Sequence, residues 1–209
     1  ILTPSRELAL QIEQVFRSLK SGFKVVCCYG GHDINVESRS LAYTPTLIIG
    51  TPGRILDHIT RGTIDTGSIS TIILDEFDKA LEFGFQEDMG TIFSHLPHLQ
   101  KRILTSATSA IEIPEFTGLR APLVLDFLEG ASPIKLTLKS VYIENNNKLD
   151  TLYKLLRDLE EGPTLIFCNY RERAEEVSNY LWDKGVNNEY FHGGMEQEER
   201  ERVLCKFRN

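Results

Sequence analysis

A run of acidic residues directly after an apolar stretch is the part of this sequence best suited to chemistry. Residues 72–74 are apolar, Asp75 and Glu76 follow at once, and Asp78 comes two residues later. In open α/β sheets, ligands bind beyond the carboxyl ends of the strands. A carboxylate there can hold Mg²⁺, often through water, and a second can orient or deprotonate an attacking water. The same acids would also suit the first turn of an exposed helix, where they complement its dipole.

Two hydroxyl residues follow another predicted strand. Ser106 and Thr108 come directly after residues 102–105, a short run typical of a strand. By themselves these hydroxyls fit an ordinary turn or cap, so their meaning depends on the acidic segment.

Three segments have the residue types of a phosphate-binding turn. Residues 51–54 read Thr-Pro-Gly-Arg after a predicted strand and open a helix, where exposed N–H groups and Arg54 can bind a phosphate. Residues 3–6 repeat this pattern, with Thr3 as the predicted N-cap and a proline at the first helical position. Gly30 and Gly31 follow another strand, where a backbone can approach a ligand closely. A simple turn is the alternative for each segment.

Polar residues also follow predicted strands in the second half of the chain. Asn169 comes after the apolar run 164–168. Gln197 and Arg200 are three residues apart and therefore share a helix face. The alternative is an exposed, charged helix, because acidic residues surround this pair.

The elements that must position these residues alternate along the chain. Apolar, β-branched runs predict strands at residues 24–28, 46–50, 71–75, 102–105, 123–127, 139–144, 164–168 and 189–191. Helical patterns lie between them, and continuous apolar strands indicate a parallel sheet covered by helices. The sequence therefore predicts an α/β protein.

A break in this alternation predicts two domains. The segment 129–136 contains Gly130, Ser132 and Pro133, which are linker residue types. We therefore expect a first domain over 1–128, a linker over 129–136 and the beginning of a second domain over 137–209.

Composition excludes several classes of protein. The 209 residues are 41% hydrophobic and 25% charged, which is ordinary for a globular chain and argues against disorder. No window approaches the roughly 18 consecutive apolar residues of a membrane span. The net charge is −7, so bulk charge does not indicate nucleic acid, although a few placed arginines and helix N-termini can hold phosphates.

The cysteines predict a reducing compartment. The four cysteines are Cys27, Cys28, Cys168 and Cys205, and none lies in a C-x-x-C pair. Most lie in strand-like apolar runs, so reduced thiols are expected, and the predicted location is cytoplasmic.

Together the polar segments resemble the motifs of the DEAD-box RNA helicases of superfamily 2. The resembling segments, in chain order, are Pro4-Ser5-Arg6-Glu7-Leu8-Ala9 (motif Ia), Gly30-Gly31 (the GG motif), Thr51-Pro52-Gly53-Arg54 (motif Ib), Asp75-Glu76-Phe77-Asp78 (motif II), Ser106-Ala107-Thr108 (motif III), Leu165-Ile166-Phe167-Cys168-Asn169 (motif IV) and Gln197 with Arg200 (the Q-x-x-R motif). The resemblance covers essentially the whole chain.

The resemblance implies two RecA-like parallel-sheet domains, with ATP between them and RNA across both. It implies that Asp75 serves the Mg²⁺ of ATP, through water, and that Glu76 positions the hydrolytic water. Asp78, Ser106 and Thr108 would couple the state of the nucleotide to domain closure.

The resemblance also assigns residues to the RNA backbone. The implied contacts are Pro4, Arg6, Gly31, Thr51, Gly53 and Arg54 in the first domain and Asn169, Gln197 and Arg200 in the second. Because backbone contacts carry little sequence information, binding without sequence preference is expected.

Two departures from the family pattern bear on activity. Phe77 stands where the family name has alanine, and an aromatic ring there must fit its neighbours. The chain contains no G-x-x-x-x-G-K-[ST] phosphate loop, no adenine-reading glutamine segment before it and no later arginine-rich motif. We therefore expect an excerpt with both domains truncated. We expect this excerpt to be inactive by itself. We expect its parent protein to hydrolyse ATP and to unwind short RNA duplexes by ATP-coupled domain closure.

Two other functions stay open at this point. One is an RNA-binding or scaffold module without catalysis, although such a module would not need Asp75 or Glu76. The other is a different superfamily 2 nucleic-acid ATPase.

Overall fold

The computed structural model describes residues 1–108, 112–127, 137–143, 147–159 and 162–208. The chain divides into two compact units, Ile1–Ser132 and Pro133–Asn209. The predicted linker, 129–136, lies outside the described residues.

The first unit alternates strands and helices. Its elements are α1 Arg6–Ser18, β1 Val25–Cys28, α2 Ile34–Leu41, β2 Leu47–Gly50, α3 Pro52–Thr60, β3 Thr71–Leu74, α4 Phe77–Glu82, α5 Gln86–Ser94 and β4 Lys101–Leu104, with short 3₁₀ turns at Thr66–Ser68 and Glu115–Thr117. The four strands match four of the predicted runs to within one residue at each end.

The strands form parallel pairs that the first residues of the chain connect. β1 pairs with β2, and β3 pairs with β4, both in parallel. Leu2 bridges Gly50 of β2 and Leu74 of β3, and its N–H donates to the Ile73 carbonyl over 2.8 Å. The segment 1–3 thus lies between the two pairs, and the residues that follow each strand lie at one edge.

The core of the first unit lies around this sheet. Ile49 and Leu74 are fully buried, as expected of parallel strands covered on both faces. Apolar residues of α3, α4 and α5 pack on the same side, including Ile55, Phe77 and Ile92. Burial of these side chains stabilises the sheet edge where the polar segments lie.

Helix α1 begins two residues later than the sequence predicts. Ser5 is the N-cap, and its hydroxyl accepts the Leu8 N–H over 3.2 Å. Thr3 is instead fully buried, and its hydroxyl donates to the Ser5 carbonyl over 3.0 Å. The prediction of Thr3 as N-cap is wrong because residues 1–3 are recruited into the sheet.

One predicted strand of the first unit does not form. Residues 123–127 have no ladder partner among the described residues and are exposed, with Leu123 at 87% and Phe127 at 81%. A strand exists only where a neighbour takes its backbone hydrogen bonds, and local sequence does not supply one.

The described part of the second unit is built from helices. They are α6 Lys148–Asp158, α7 Arg171–Asp183 and α8 Gln197–Arg208, with Val177, Leu181 and Val203 buried. The predicted strands at 139–143, 164–168 and 189–191 are not assigned as strands, for the same reason of missing ladder partners. Residue 144 of the first of these lies outside the described residues.

None of the helices in the described residues is long and apolar enough to span a membrane.

Candidate functional site

The acidic segment forms a sharp turn at the end of β3. The Asp75 N–H donates to the Leu2 carbonyl over 2.9 Å, so Asp75 is still tied to the sheet. Glu76 then adopts a left-handed conformation, with φ 48° and ψ 50°, and α4 begins at the next residue. Such a conformation costs a non-glycine residue of order 1–3 kcal/mol. The turn leaves Asp75 half-buried and Glu76 exposed at the sheet edge.

The Thr105 side chain links the two carboxylate residues. Its hydroxyl donates to Asp75 Oδ1 over 2.5 Å and accepts the Glu76 N–H over 3.2 Å. The Thr105 carbonyl also accepts the Phe77 N–H over 3.0 Å. Thr105 therefore fixes the Asp75–Glu76 turn. Sequence reasoning assigned this residue only to a strand, although its position next to Ser106 extends a row of hydroxyls at the strand end.

The structure joins Asp78, the last acid of the acidic segment, to the hydroxyl segment Ser106-Ala107-Thr108. Asp78 is 1% exposed, and its Oδ2 accepts the Thr108 hydroxyl over 3.1 Å. Ser106 in turn donates to the Thr108 carbonyl over 2.9 Å and accepts the Thr108 N–H over 3.0 Å. Among the described residues, Asp78 Oδ1 is buried and has no hydrogen-bond partner. A buried carboxylate oxygen without a donor is costly, so this atom is suited to take one from a ligand or another segment.

The Phe77 ring packs among the core residues of the first unit. Its side chain is 6% exposed and belongs to the main core cluster of the first unit. The ring therefore points into the core, and the flanking carboxylates keep the sheet edge.

Oxygen donors at this edge suit a divalent cation. The Thr105 hydroxyl occupies only Oδ1 of Asp75, so the other oxygen of this half-buried carboxylate is available for a ligand. Carboxylate oxygen is the donor that Mg²⁺ prefers in proteins. The residues therefore fit Mg²⁺, with Asp75 as the residue that would hold the ion through water.

The Thr-Pro-Gly-Arg segment opens α3 as the sequence predicts. Thr51 is the N-cap, Pro52 is the first helical residue, and the Thr51 side chain makes no capping hydrogen bond. The helix therefore presents N-terminal N–H groups that no side chain caps. A Cβ on Gly53 would lie 3.4 Å from Asp88 Oδ2, so an acidic side chain of α5 borders this turn.

The first turn of α1 lies beside the loop that contains Gly30 and Gly31, here called the glycine loop. A Cβ on Gly30 would lie 3.3 Å from Nη2 of Arg6, and Gly31 has φ +104°, a conformation that favours glycine. Pro4, just before this turn, is buried. The structure thus brings Arg6 against Gly30, the neighbour of Gly31, and both Arg6 and Gly31 are predicted to contact a phosphate backbone.

Arg54 has a different environment from the predicted one. Its side chain is only 12% exposed. Nη2 donates to the His32 carbonyl over 2.7 Å, and Nε donates to the Tyr29 carbonyl over 3.2 Å. Nε also lies 3.4 Å from Oε2 of Glu37. The guanidinium is therefore used inside the protein, where it holds the glycine loop.

Sequence reasoning missed a buried polar cluster around Glu37. This side chain is 3% exposed and lies close to His32, His58 and Arg54. The only sequence signal was an acid and two histidines near the glycine loop and the Thr-Pro-Gly-Arg segment, with no recognisable spacing.

The predicted residues of the second unit have separate environments. Asn169 is exposed just before α7. Gln197 is 7% exposed and donates to Glu201 Oε1 over 2.8 Å. The guanidinium of Arg200 lies 5.2 Å from the centre of the Phe191 ring, a cation–π contact.

Family models match both units of the chain. The model "DEAD/DEAH box helicase" matches residues 1–116, and the model "Helicase conserved C-terminal domain" matches residues 147–209.

Curated relatives align over the whole chain. It is 32% identical over 214 residues to "DEAD-box ATP-dependent RNA helicase 53" of Oryza sativa subsp. japonica, with 100% of this chain and 35% of that protein covered. It is 34% identical over 212 residues to "ATP-dependent RNA helicase DHH1" of Saccharomyces cerevisiae, with 100% of this chain and 42% of that protein covered. The chain therefore spans between one third and one half of these relatives.

Two solved structures have a similar fold. A DEAD box protein from the hyperthermophile Methanococcus jannaschii matches with a TM-score of 0.50 and 30% identity, covering 99% of this chain and 57% of that one. Dbp5 of S. cerevisiae, solved bound to RNA and ADP BeF3, matches with a TM-score of 0.76 and 22% identity, covering 99% of this chain and 54% of that one.

Proposed function

Because the chain belongs to the DEAD/DEAH box helicases and has their α/β fold of two RecA-like domains, we propose that it is part of an ATP-dependent RNA helicase. The reaction is ATP hydrolysis coupled to the separation of short RNA duplexes through closure of the two domains. The observation that carries this proposal is the hydrogen-bonded junction between the acidic segment and the hydroxyl segment, Asp75 with Thr105 and Asp78 with Thr108.

The acidic turn supplies the hydrolytic groups. Asp75 would hold Mg²⁺ through water, and bound Mg²⁺ neutralises charge on the phosphates of ATP. Glu76 is exposed at the same edge, where its carboxylate orients the attacking water and accepts its proton. Thr105 keeps both residues in place.

The buried junction would pass the state of the nucleotide to the rest of the molecule. Asp78 and Thr108 connect the turn after β3 to the segment after β4, and Ser106 braces Thr108. The unpartnered Asp78 Oδ1 is a place where a donor can bind in one state and leave in another.

The remaining predicted residues would hold the RNA backbone. They are Pro4, Arg6, Gly31, Thr51 and Gly53 with the turn held by Arg54 in the first unit, and Asn169, Gln197 and Arg200 in the second. Contacts to phosphate and sugar without base readout would accept many RNA sequences, and contacts to 2′-hydroxyls would favour RNA over DNA.

Two further points belong to the proposal. The 209-residue chain contains no phosphate loop with its lysine, so we propose that the chain by itself does not hydrolyse ATP, because that loop cradles the phosphates. None of its four cysteines forms a disulfide, which supports a reducing, cytoplasmic location.

A duplex-unwinding assay tests the proposal. The protein encoded by the full reading frame is mixed with ATP, Mg²⁺ and a short RNA duplex or a DNA duplex of the same sequence. We expect ATP-dependent separation of the RNA duplex, which Glu76→Gln abolishes. Separation of DNA alone would favour another superfamily 2 ATPase, and RNA binding without hydrolysis would favour an RNA-binding scaffold.

A further inference from the structure

The Glu37 carboxylate is buried and contacts polar groups of two segments, the loop 29–32 and helix α3. Oε1 accepts the Tyr29 N–H over 3.0 Å and lies 2.8 Å from Nε2 of His32. Oε2 lies 2.6 Å from Nε2 of His58 and 3.4 Å from Nε of Arg54. Oε1 therefore faces two N–H groups, and Oε2 faces one ring nitrogen and the charge of Arg54, so the buried carboxylate is compensated by hydrogen bonds and an ion pair.

The partner atoms define the proton positions of the two rings. A carboxylate only accepts, so Nε2 of each histidine carries a hydrogen that it donates to Glu37. The Nδ1 of His58 lies 2.7 Å from the Thr63 hydroxyl, which donates to the His58 carbonyl over 3.0 Å. His58 is fully buried, so both of its nitrogens are used inside the protein.

These contacts connect the two turns of the first unit that are proposed to meet RNA. Tyr29 and His32 flank Gly30 and Gly31, whereas Arg54 belongs to the first turn of α3. Arg54 also donates to the Tyr29 and His32 carbonyls. The spacing between the glycine loop and the N-terminus of α3 therefore depends on one carboxylate and its partners.

We propose that Glu37, His32 and His58 are positioning residues for RNA binding, which hold the Gly30–Gly31 loop and the Arg54 turn in the arrangement that binds the sugar-phosphate backbone. This inference rests on the proposed RNA-binding function. It gives Arg54 a positioning role, and it leaves the backbone N–H groups of the two turns to contact the phosphates.

A metal ion is the main alternative for this cluster. The ligand atoms of Cys28, Glu37 and His58 lie within 4.8 Å of one another. However, the Arg54 cation beside the same carboxylate opposes a second cation. Burial also raises the pKa of the Cys28 thiol, which disfavours the thiolate that would bind a metal. The Glu37 carboxylate oxygens already have hydrogen-bond partners. A hydrogen-bond network is therefore the better assignment for this cluster.

The test measures the affinity of the full reading frame for a single-stranded RNA, with a non-hydrolysable ATP analogue present, at several salt concentrations. His58→Leu and Glu37→Gln should each weaken binding about tenfold, which corresponds to about 1.4 kcal/mol. His58→Gln, which keeps a side-chain N–H donor, should restore binding. The matched controls His98→Leu and Glu112→Gln change exposed residues and should bind as wild type.

A second variant guards against misfolding. The His32 side chain is 34% exposed, so His32→Ala should keep the fold, as seen in its melting temperature, and still weaken RNA binding. Wild-type affinity in folded His32→Ala and His58→Leu, or failure of His58→Gln to restore binding, would overturn the inference while the proposed function stands. A Zn²⁺-dependent rise in melting temperature that Cys28→Ser removes would overturn it in favour of a metal site. Failure of the wild-type protein to bind RNA would instead overturn the proposed function, and this inference with it.

Discussion

At the scale of single residues, the site depends on side chains that restrain its reactive groups. Glu76 has a left-handed backbone conformation although it is not a glycine. The conformation therefore persists because contacts with neighbouring residues impose it. Thr105 supplies two of those contacts, one to Asp75 and one to the Glu76 N–H. Activity should therefore be sensitive to a residue that touches no substrate.

Thr105→Val tests this restraint. Valine keeps the shape of threonine but removes the hydroxyl and both of its hydrogen bonds, one of them to a carboxylate. We therefore expect ATP turnover by the full reading frame to fall by about tenfold or more. Thr105 is exposed, so stability should change little. Steady-state ATPase rates and a thermal melt measure both effects. Thr91→Val, on an exposed face of α5, is the matched control, and an unchanged rate in Thr105→Val would refute the restraint.

Thiol reactivity is the second prediction at this scale. Burial, together with the nearby Glu13 and Glu37 carboxylates, raises the pKa of the Cys27 thiol to about 12. Only the thiolate reacts with a disulfide reagent, so at pH 8 Cys27 should be protected while the exposed Cys205 reacts. The same shift stabilises the protonated folded state, so this contribution to stability is lost as pH rises from about 9 to about 12. Mass spectrometry after timed labelling identifies the modified cysteine, and rapid labelling of Cys27 in folded protein would contradict the prediction.

At the scale of elements, the junction of β2 and α3 depends on close backbone packing. Gly50 ends β2, directly before the Thr51 N-cap. A Cβ on Gly50 would lie 2.2 Å from the Cys28 carbonyl oxygen and 2.8 Å from Cδ1 of Ile55. The carbonyl belongs to β1 and also accepts the Thr51 N–H over 3.2 Å, so it has little freedom to move.

Gly50→Ala should therefore lower the free energy of unfolding by about 1–3 kcal/mol through overpacking. Gly90→Ala is a matched control on α5, where a new Cβ would meet only ordinary contacts near Phe116 at 3.7 Å and should stabilise the helix by up to about 1 kcal/mol. Urea unfolding of both variants measures the difference. Equal stability of Gly50→Ala and wild type would show that the sheet edge adapts more easily than its packing indicates.

At the scale of the whole molecule, each unit contributes one part of the proposed activity. The first unit holds the acidic turn, the hydroxyl segment and the glycine loop, whereas the second holds the candidates Asn169, Gln197 and Arg200. Neither unit contains the loop that cradles phosphates, because the 209 residues have no G-x-x-x-x-G-K-[ST] motif. Under the proposed function, the acidic turn acts only on a nucleotide whose phosphates such a loop holds.

The prediction at this scale compares the purified 209-residue chain with the full reading frame. We expect no RNA-stimulated phosphate release from the chain and clear release from the full reading frame, because Asp75 and Glu76 act only on a positioned nucleotide. A phosphate-release assay with and without RNA measures both. Release from the chain alone, abolished by Glu76→Gln, would refute this prediction.

Local sequence was sufficient for much of the fold. Alternating apolar runs and helical patterns predicted the α/β class, the four strands of the first unit and the start of α3 at Pro52, because strand and helix periodicity and turn residues act over short distances. The same local signals predicted strands at 123–127 and 164–168 that the structure does not contain, since pairing depends on a distant partner.

By itself, the sequence determined the family and the order of its motifs, because these reside in short runs such as Asp75–Asp78. Only the tertiary structure decided which side chains meet. Thr105 reaches Asp75 from 30 residues away, and His58 reaches Glu37 from 21 residues away. Such contacts depend on how the strands pair and on what the core excludes, and no local pattern records either.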